Sequence, residues 1–169
     1  MDLRPFDRAC HPAGESLTMK RILVDADACP VKPEIFRVAK RHDLKVVLVS
    51  NSWMRIPLED WLELVVVNDA FDAADNWIAE QSSAKEVVVT GDILLAARCL
   101  KNGAAVLDFK GGLFTEDSIG GALANRELMS HLREIGAATG GPAPIKDRDR
   151  SRFLHALDEL VRSRNLLPS

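Results

Sequence analysis

The sequence predicts an α/β fold: a mostly parallel five-stranded sheet with helices on both faces. Three observations carry this. Short, continuous, β-branched apolar runs recur at 22–24, 46–49, 64–67, 87–89 and 104–107, the pattern of strands buried on both faces. Stretches of helical period lie between them, and strand alternating with helix means βαβ units with right-handed crossovers. At 169 residues, 47% hydrophobic and 28% charged, the chain has one domain's length and an ordinary globular composition.

Each element has its own signal. The first strand, 21–25, directly follows Met19 and Lys20. Met19 is therefore expected to be the native start, with residues 1–18 a start-site artefact or a floppy tail. The helix at 33–41 puts Ile35, Phe36, Val38 and Ala39 on one side, and that at 73–81 carries Trp77 and Ile78. The helix at 93–101 ends at Asn102-Gly103, a good helix terminus. Lys110-Gly111-Gly112 reads as a turn. Next comes a long helix, 117–134, with Ile119, Leu123, Leu128, Leu132 and Ile135 on one broad face. A Gly/Pro-rich linker at 136–144 leads to a last helix, 150–164, with Phe153, Leu154, Leu157, Leu160 and Val161 as a docking stripe. The expected organisation is a tail (1–18), an α/β domain (19–135), and a linker with C-terminal helix (136–169).

Composition narrows the function classes. A net charge of −3, from 22 basic and 25 acidic residues, gives no global basic field, although a local groove can still be basic. The three cysteines, Cys10, Cys29 and Cys99, are widely spaced without a C-x-x-C pair. That fits a reducing, cytoplasmic setting rather than a disulfide framework or zinc knuckle. No apolar run approaches the ~20 residues of a membrane helix, and 1–18 lacks the apolar stretch of a secretory signal.

In an open parallel sheet, ligands bind beyond the carboxyl ends of the strands. Those ends read Asp25-Ala26-Asp27-Ala28-Cys29-Pro30, Ser50-Asn51-Ser52, Asn68-Asp69 with Asp72 and Asp75 behind, and Thr90-Gly91-Asp92. Carboxylates gathered at one edge repel unless a cation neutralises them. Hard oxygen donors suit Mg²⁺ or Mn²⁺, and metal-assisted phosphate-ester hydrolysis is the natural chemistry. Asp92, Asp72 and Asp117 have a second reading as helix caps. Asp25 ends an apolar strand, where a charge is costly without a partner. Lys32, Asn51, Arg55, Lys110 and Arg126 are candidates to hold phosphates if they converge on this edge; otherwise the cations are solvated surface charges.

Other residues carry less. Cys29 lies near a helix start, which can lower a thiol pKa. Its sixth successor is Ile35 rather than Arg, which excludes a phosphatase loop, and a small packed residue is expected. His11, His42, His131 and His155 show no metal-ligand spacing. Trp61 and Trp77 are expected in or near the core, with Trp53 the best candidate to stack on a base.

With these residues in hand, the chain resembles the uncharacterised bacterial YaiI/YqxD family from about residue 21 to residue 160. The resemblance rests on Val24-Asp25-Ala26-Asp27-Ala28-Cys29-Pro30-Val31-Lys32, Phe71-Asp72-Ala73-Ala74-Asp75 and Val88-Val89-Thr90-Gly91-Asp92. Phe114-Thr115-Glu116-Asp117-Ser118-Ile119-Gly120 and Gly140-Gly141-Pro142 add to it. It implies a Rossmann-like, PIN-like or NYN-like α/β domain with an acidic, Mg²⁺- or Mn²⁺-binding nuclease site. Asp25, Asp75 and Asp92 match that site's acidic positions, with Asp27, Asp72, Glu116 and Asp117 as further candidates. Leu94, Ser118 and Ser50-Asn51-Ser52 depart from the family's usual Pro, Asn and Ala-Asn-Gln, and none of these changes removes an acidic residue.

Three readings follow. The first is a metal-dependent nuclease for RNA or single-stranded nucleic acid. Asp25, Asp75 and Asp92 hold the cation, Asp27 orients water, and Lys32 and Arg55 position the backbone. The second is a haloacid-dehalogenase-like phosphatase with Asp25 as nucleophile, Asp27 as acid/base and Ser50 as phosphate ligand. Ala96 stands where that enzyme needs a second acid. The third is a non-catalytic domain that binds RNA or a protein.

Overall fold

A computed structural model of the chain describes residues 21–70, 72–136 and 144–166. The tail 1–18, Phe71 and most of the expected linker, with Gly140-Gly141-Pro142, lie outside the described residues.

The described elements run β1 (Arg21–Asp25), α1 (Lys32–His42), β2 (Lys45–Ser50), β3 (Leu62–Val66), α2 (Ala73–Gln81), β4 (Glu86–Val89), α3 (Ile93–Lys101), β5 (Ala105–Leu107), β6 (Leu113–Phe114), α4 (Glu116–Glu134) and α5 (Asp147–Leu166). They form one mixed α/β domain with a sheet ordered β3-β2-β1-β4-β5-β6. Strands β1 to β5 pair in parallel, with Val24 opposite both Leu48 and Val89.

Alternate side chains of a strand point to opposite faces, and the core divides accordingly. Ile22, Val24, Val46, Leu48, Val87 and Val89 face α1 and α5, meeting Ile35 and Val38 of the one and Phe153, Leu157 and Val161 of the other. Leu23, Val47, Val49, Val88 and Val106 face α2 and α3, meeting Ala74, Ile78, Leu95, Ala96 and Cys99. Helices thus cover both faces, and α5 buries its stripe in the same core as β1.

The structure corrects the sequence-based expectation in four places. The sheet has six strands, not five. β6 is antiparallel to β5, pairing Phe114 with Val106 and Leu113 with Leu107, and at two residues it is too short to show a period. β3 begins at Leu62 rather than 64 and is an edge strand. Only Leu62 of it is buried, and Val66 is 47% exposed. α4 carries no buried side chain among its described residues. Ile119 packs on the α2/α3 side of the core, while Leu128 and Ile135 are 54% and 62% exposed. α5 begins at Asp147 rather than 150. No described helix is long and apolar enough to cross a membrane.

Candidate functional site

The strand order reverses between β1 and β4. The loop after β1 leads to α1 on one face and the loop after β4 to α3 on the other, so a crevice opens between them. Asp25 stands at this point as the last residue of β1. Its Oδ2 accepts a hydrogen bond from Thr90 Oγ1 (3.0 Å), just beyond β4. Burial raises the Asp25 pKa, opposed by the Thr90 bond and reinforced by Asp27 and Asp92.

Asp27 is fastened to β2. Its Oδ1 accepts from Ser50 Oγ at 2.5 Å, and its Oδ2 accepts from the Asn51 amide at 3.2 Å. Ser50 is fully buried, so its hydroxyl serves Asp27 and is not offered to a ligand. That removes the phosphate ligand which the dehalogenase-like reading requires.

Opposite lies the segment before α2. Asp72 occupies the N-cap position in a left-handed conformation (φ 65°) and makes no side-chain cap bond. Its capping reading fails there, and its carboxylate lines the cleft instead. Asp75, in the first turn of α2, is half-buried. Its pKa is raised to about 6, first by burial, then by the charges of Asp92, Asp25 and Asp72. A side-chain hydrogen bond to Asp92, which only a protonated carboxyl can donate, adds to the rise.

Asp92 does cap α3: its Oδ1 accepts from the amides of Leu94 (2.9 Å) and Leu95 (3.3 Å). It is therefore both a cap and a member of the acidic group. The resulting cleft, of about 290 Å³, is lined by the carboxylates of Asp25, Asp27, Asp69, Asp72 and Asp75 and by Asn51. Asp69 and Thr90 are read from sequence at the candidate edge but without a role there. Both sit just past a strand end, the signal that marked their neighbours.

The remaining candidates lie elsewhere. Lys32 Nζ turns back to the Cys29 carbonyl (3.4 Å). Arg55 is exposed in the segment between β2 and β3. Arg126 and Asp117 are exposed on α4, whose N-cap is Thr115, in a reciprocal capping box with Ser118. None of the four lines the cleft. Trp53 is 74% exposed, whereas Trp61 is half-buried edge-on to Phe36 (5.7 Å). Cys29 is buried and its thiol is pushed up to about 11, the opposite of an activated nucleophile.

Among the described residues, no three His, Cys, Asp or Glu side chains are arranged to hold a metal ion. A closed protein cage therefore does not fit. The donors do fit the looser mode of Mg²⁺, in which one or two carboxylates bind and water and substrate oxygens fill the remaining positions. The Asp75 pKa is raised first by burial and then by the neighbouring carboxylates, whose charge such a cation would neutralise.

Comparison with known proteins bears on the family. The model of the family described as "Uncharacterized BCR, YaiI/YqxD family" matches residues 23–163. A UPF0178 protein of Sphingopyxis alaskensis is 59% identical over 138 residues, 81% of this chain and 90% of the relative. A UPF0178 protein of Brucella ovis is 57% identical over 138 residues, 81% of this chain and 86% of the relative. No solved structure matches the chain significantly.

Proposed function

The chain belongs to the YaiI/YqxD family, a membership that assigns no activity, and from the cleft itself we propose a phosphodiesterase acting on RNA or other single-stranded nucleic acid with Mg²⁺ or Mn²⁺. One observation carries this reading. Asp25 ends β1, Asp75 lies in the first turn of α2 and Asp92 caps α3, yet each lies within electrostatic reach of the other two. A fold gains nothing in stability by gathering like charges beside a half-buried carboxyl, so the arrangement suits a ligand that neutralises them. In this reading the domain is PIN-like, and the reaction takes place in the cytoplasm.

Asp25 and Asp75 would hold the cation, with water and substrate oxygens completing its shell, and Asp92 would act on it through its charge. When bound, the cation supplies charge neutralisation and acidifies water. The chain's own residues do the rest. Thr90 fixes the rotamer of Asp25. Asp27, held by Ser50 and the Asn51 amide, is exposed enough to accept the proton of the attacking water. Asn51 lines the cleft, where its side-chain amide can donate to a phosphate oxygen.

The test is incubation of the full chain with end-labelled RNA and single-stranded DNA in Mn²⁺. Cleavage is expected, with loss in EDTA and in Asp25→Asn and Asp75→Asn. Intact RNA and DNA throughout would reject the reading.

A further inference from the structure

We propose that a basic patch around the start of α5 is the track along which a single-stranded nucleic acid backbone approaches the cleft. The choice of ligand rests on the nuclease reading; the patch itself is a feature of the structure. On a chain of net charge −3, Lys110, Lys146, Arg148, Arg150 and Arg152 come together at the carboxyl edge of the sheet.

Two contacts fix α5 there. Arg150 Nη1 donates to the carbonyl of Pro30 (2.6 Å), in the loop after β1. A Cβ on Gly111, in the β5–β6 turn, would lie 3.0 Å from the Arg152 carbonyl. The first turns of α5 thus run from the β1 loop to the β5–β6 turn. Lys110, Arg148 and Arg152 all act on the Asp149 carboxylate, so they share one neighbourhood.

Most of the acidic groups among them are already engaged by neighbouring groups. Asp149 is buried and accepts from the Lys146 amide (3.0 Å), and Asp108 accepts from the amides of Lys110 and Gly112 (both 2.8 Å). Glu34 faces Arg150 at 3.6 Å. Asp147 alone of this group is exposed. The side chains of Lys110, Lys146, Arg148 and Arg152 are exposed, with no ion-pair partner among the described residues. Four exposed cations against one exposed carboxylate, Asp147, make a surface that fits a polyanion.

The same loop carries both sites. Asp27 lines the cleft, and three residues later Pro30 holds Arg150. Chain length limits the separation of Asp27 and Pro30 to about 11 Å. A strand lying on the patch would thus reach the carboxylates within a few nucleotides.

The test measures anisotropy of a fluorescein-labelled oligouridylate 12-mer with the full chain in EDTA, where no cleavage occurs. The variant combines Lys110→Ala, Arg148→Ala and Arg152→Ala. A control combines Lys101→Ala and Arg133→Ala, both exposed elsewhere. Three lost phosphate contacts should make the log–log salt dependence shallower by about 2, from about 0.7 per contact on single strands. Between 50 and 200 mM salt, wild type should then lose about twentyfold more affinity than the variant. The control should match wild type, and thermal unfolding should match in all three. Equal slopes in variant and wild type, or no binding by wild type at 50 mM salt, would overturn the patch. Hydrolysis of bis(p-nitrophenyl) phosphate in Mn²⁺ tests the cleft separately, because this ester is too small to span both sites. If the ester stays intact while RNA binding follows the patch, the cleft reading fails and the patch stands.

Discussion

Asp92 shows how a cap and a charge can be separated by substitution. Its Oδ1 holds the first amides of α3, and Asn caps about as well as Asp. Asp92→Asn should therefore keep stability within a few tenths of a kcal/mol, while Asp92→Ala should lose about 1 kcal/mol, both read by urea unfolding. The neutral variant should also lower the pKa of Asp75 by removing its largest like charge, visible in the carboxyl carbon resonance. Asp75 itself gives a pH prediction. Its folded pKa is about 6, against about 3.9 in an unfolded chain. Between those values the folded state holds a proton that the unfolded state has released. Stability therefore falls as pH rises from about 4 to about 6, and stays at its lower level above that. Asp75→Asn should raise Tm relative to wild type at pH 8, and the gain should fade toward pH 4. A pH-independent difference would mean that Asp75 ionises normally. Much of this site was legible because carboxylates at strand ends have few structural reasons to be there. What was hidden is local geometry: that Asp92 caps while Asp72 does not is a matter of φ, and that Ser50 serves Asp27 is a matter of burial.

The elements differ in how firmly they belong to the fold. α5 reads from sequence as an appendage after a Gly/Pro stretch, yet Phe153 is fully buried among β1, α1 and β5 residues. Phe153→Ala should cost about 3–5 kcal/mol, measured by urea unfolding, and a cost under 1 kcal/mol would show α5 to be peripheral. His42 Nε2 and Arg41 Nη1 also tie α1 to α5 through Asp158, at 2.7 and 3.2 Å. Gly111 tests the same docking from the other side. Its φ of 90° and the Arg152 carbonyl 3.0 Å from a Cβ leave no room for a side chain. Gly111→Ala should therefore destabilise by at least about 1 kcal/mol, again read in urea. The central strands and α2 and α3 were legible because burial on both faces imposes continuous β-branched runs and the helices between them keep their period. The edges were not. β3 and β6 each pair with a single strand, at the two edges of the sheet, so their composition is less constrained. α4 shows an apolar period although little of it is covered, because a period records amphipathicity and not what lies against it.

At the scale of the molecule, charge is sorted rather than balanced. The α2 side of the carboxyl edge is acidic, the α5 side is basic, and the loop from Asp27 to Pro30 divides them. This sorting makes a prediction about independence. A cation that relieves repulsion among Asp25, Asp75 and Asp92 binds the folded state alone. At about 100 times its dissociation constant, Mn²⁺ should add about 2.7 kcal/mol, or roughly 5–10 °C in Tm for a domain of this size. The rise should be larger at pH 8 than at pH 5, because below about 6 the proton on Asp75 competes with the cation. Asp75→Asn should lose most of it. The Lys110, Arg148 and Arg152 variant should keep it whole, since those residues lie across the loop from the carboxylates. If the patch variant also lost the rise, the two sides would act as one site. If wild type gave a flat response in millimolar Mn²⁺, the carboxylates would not take a cation without phosphate oxygens to complete its shell. A repeat with the oligouridylate 12-mer present would then have to restore the rise, or the cation-dependent reading would fall.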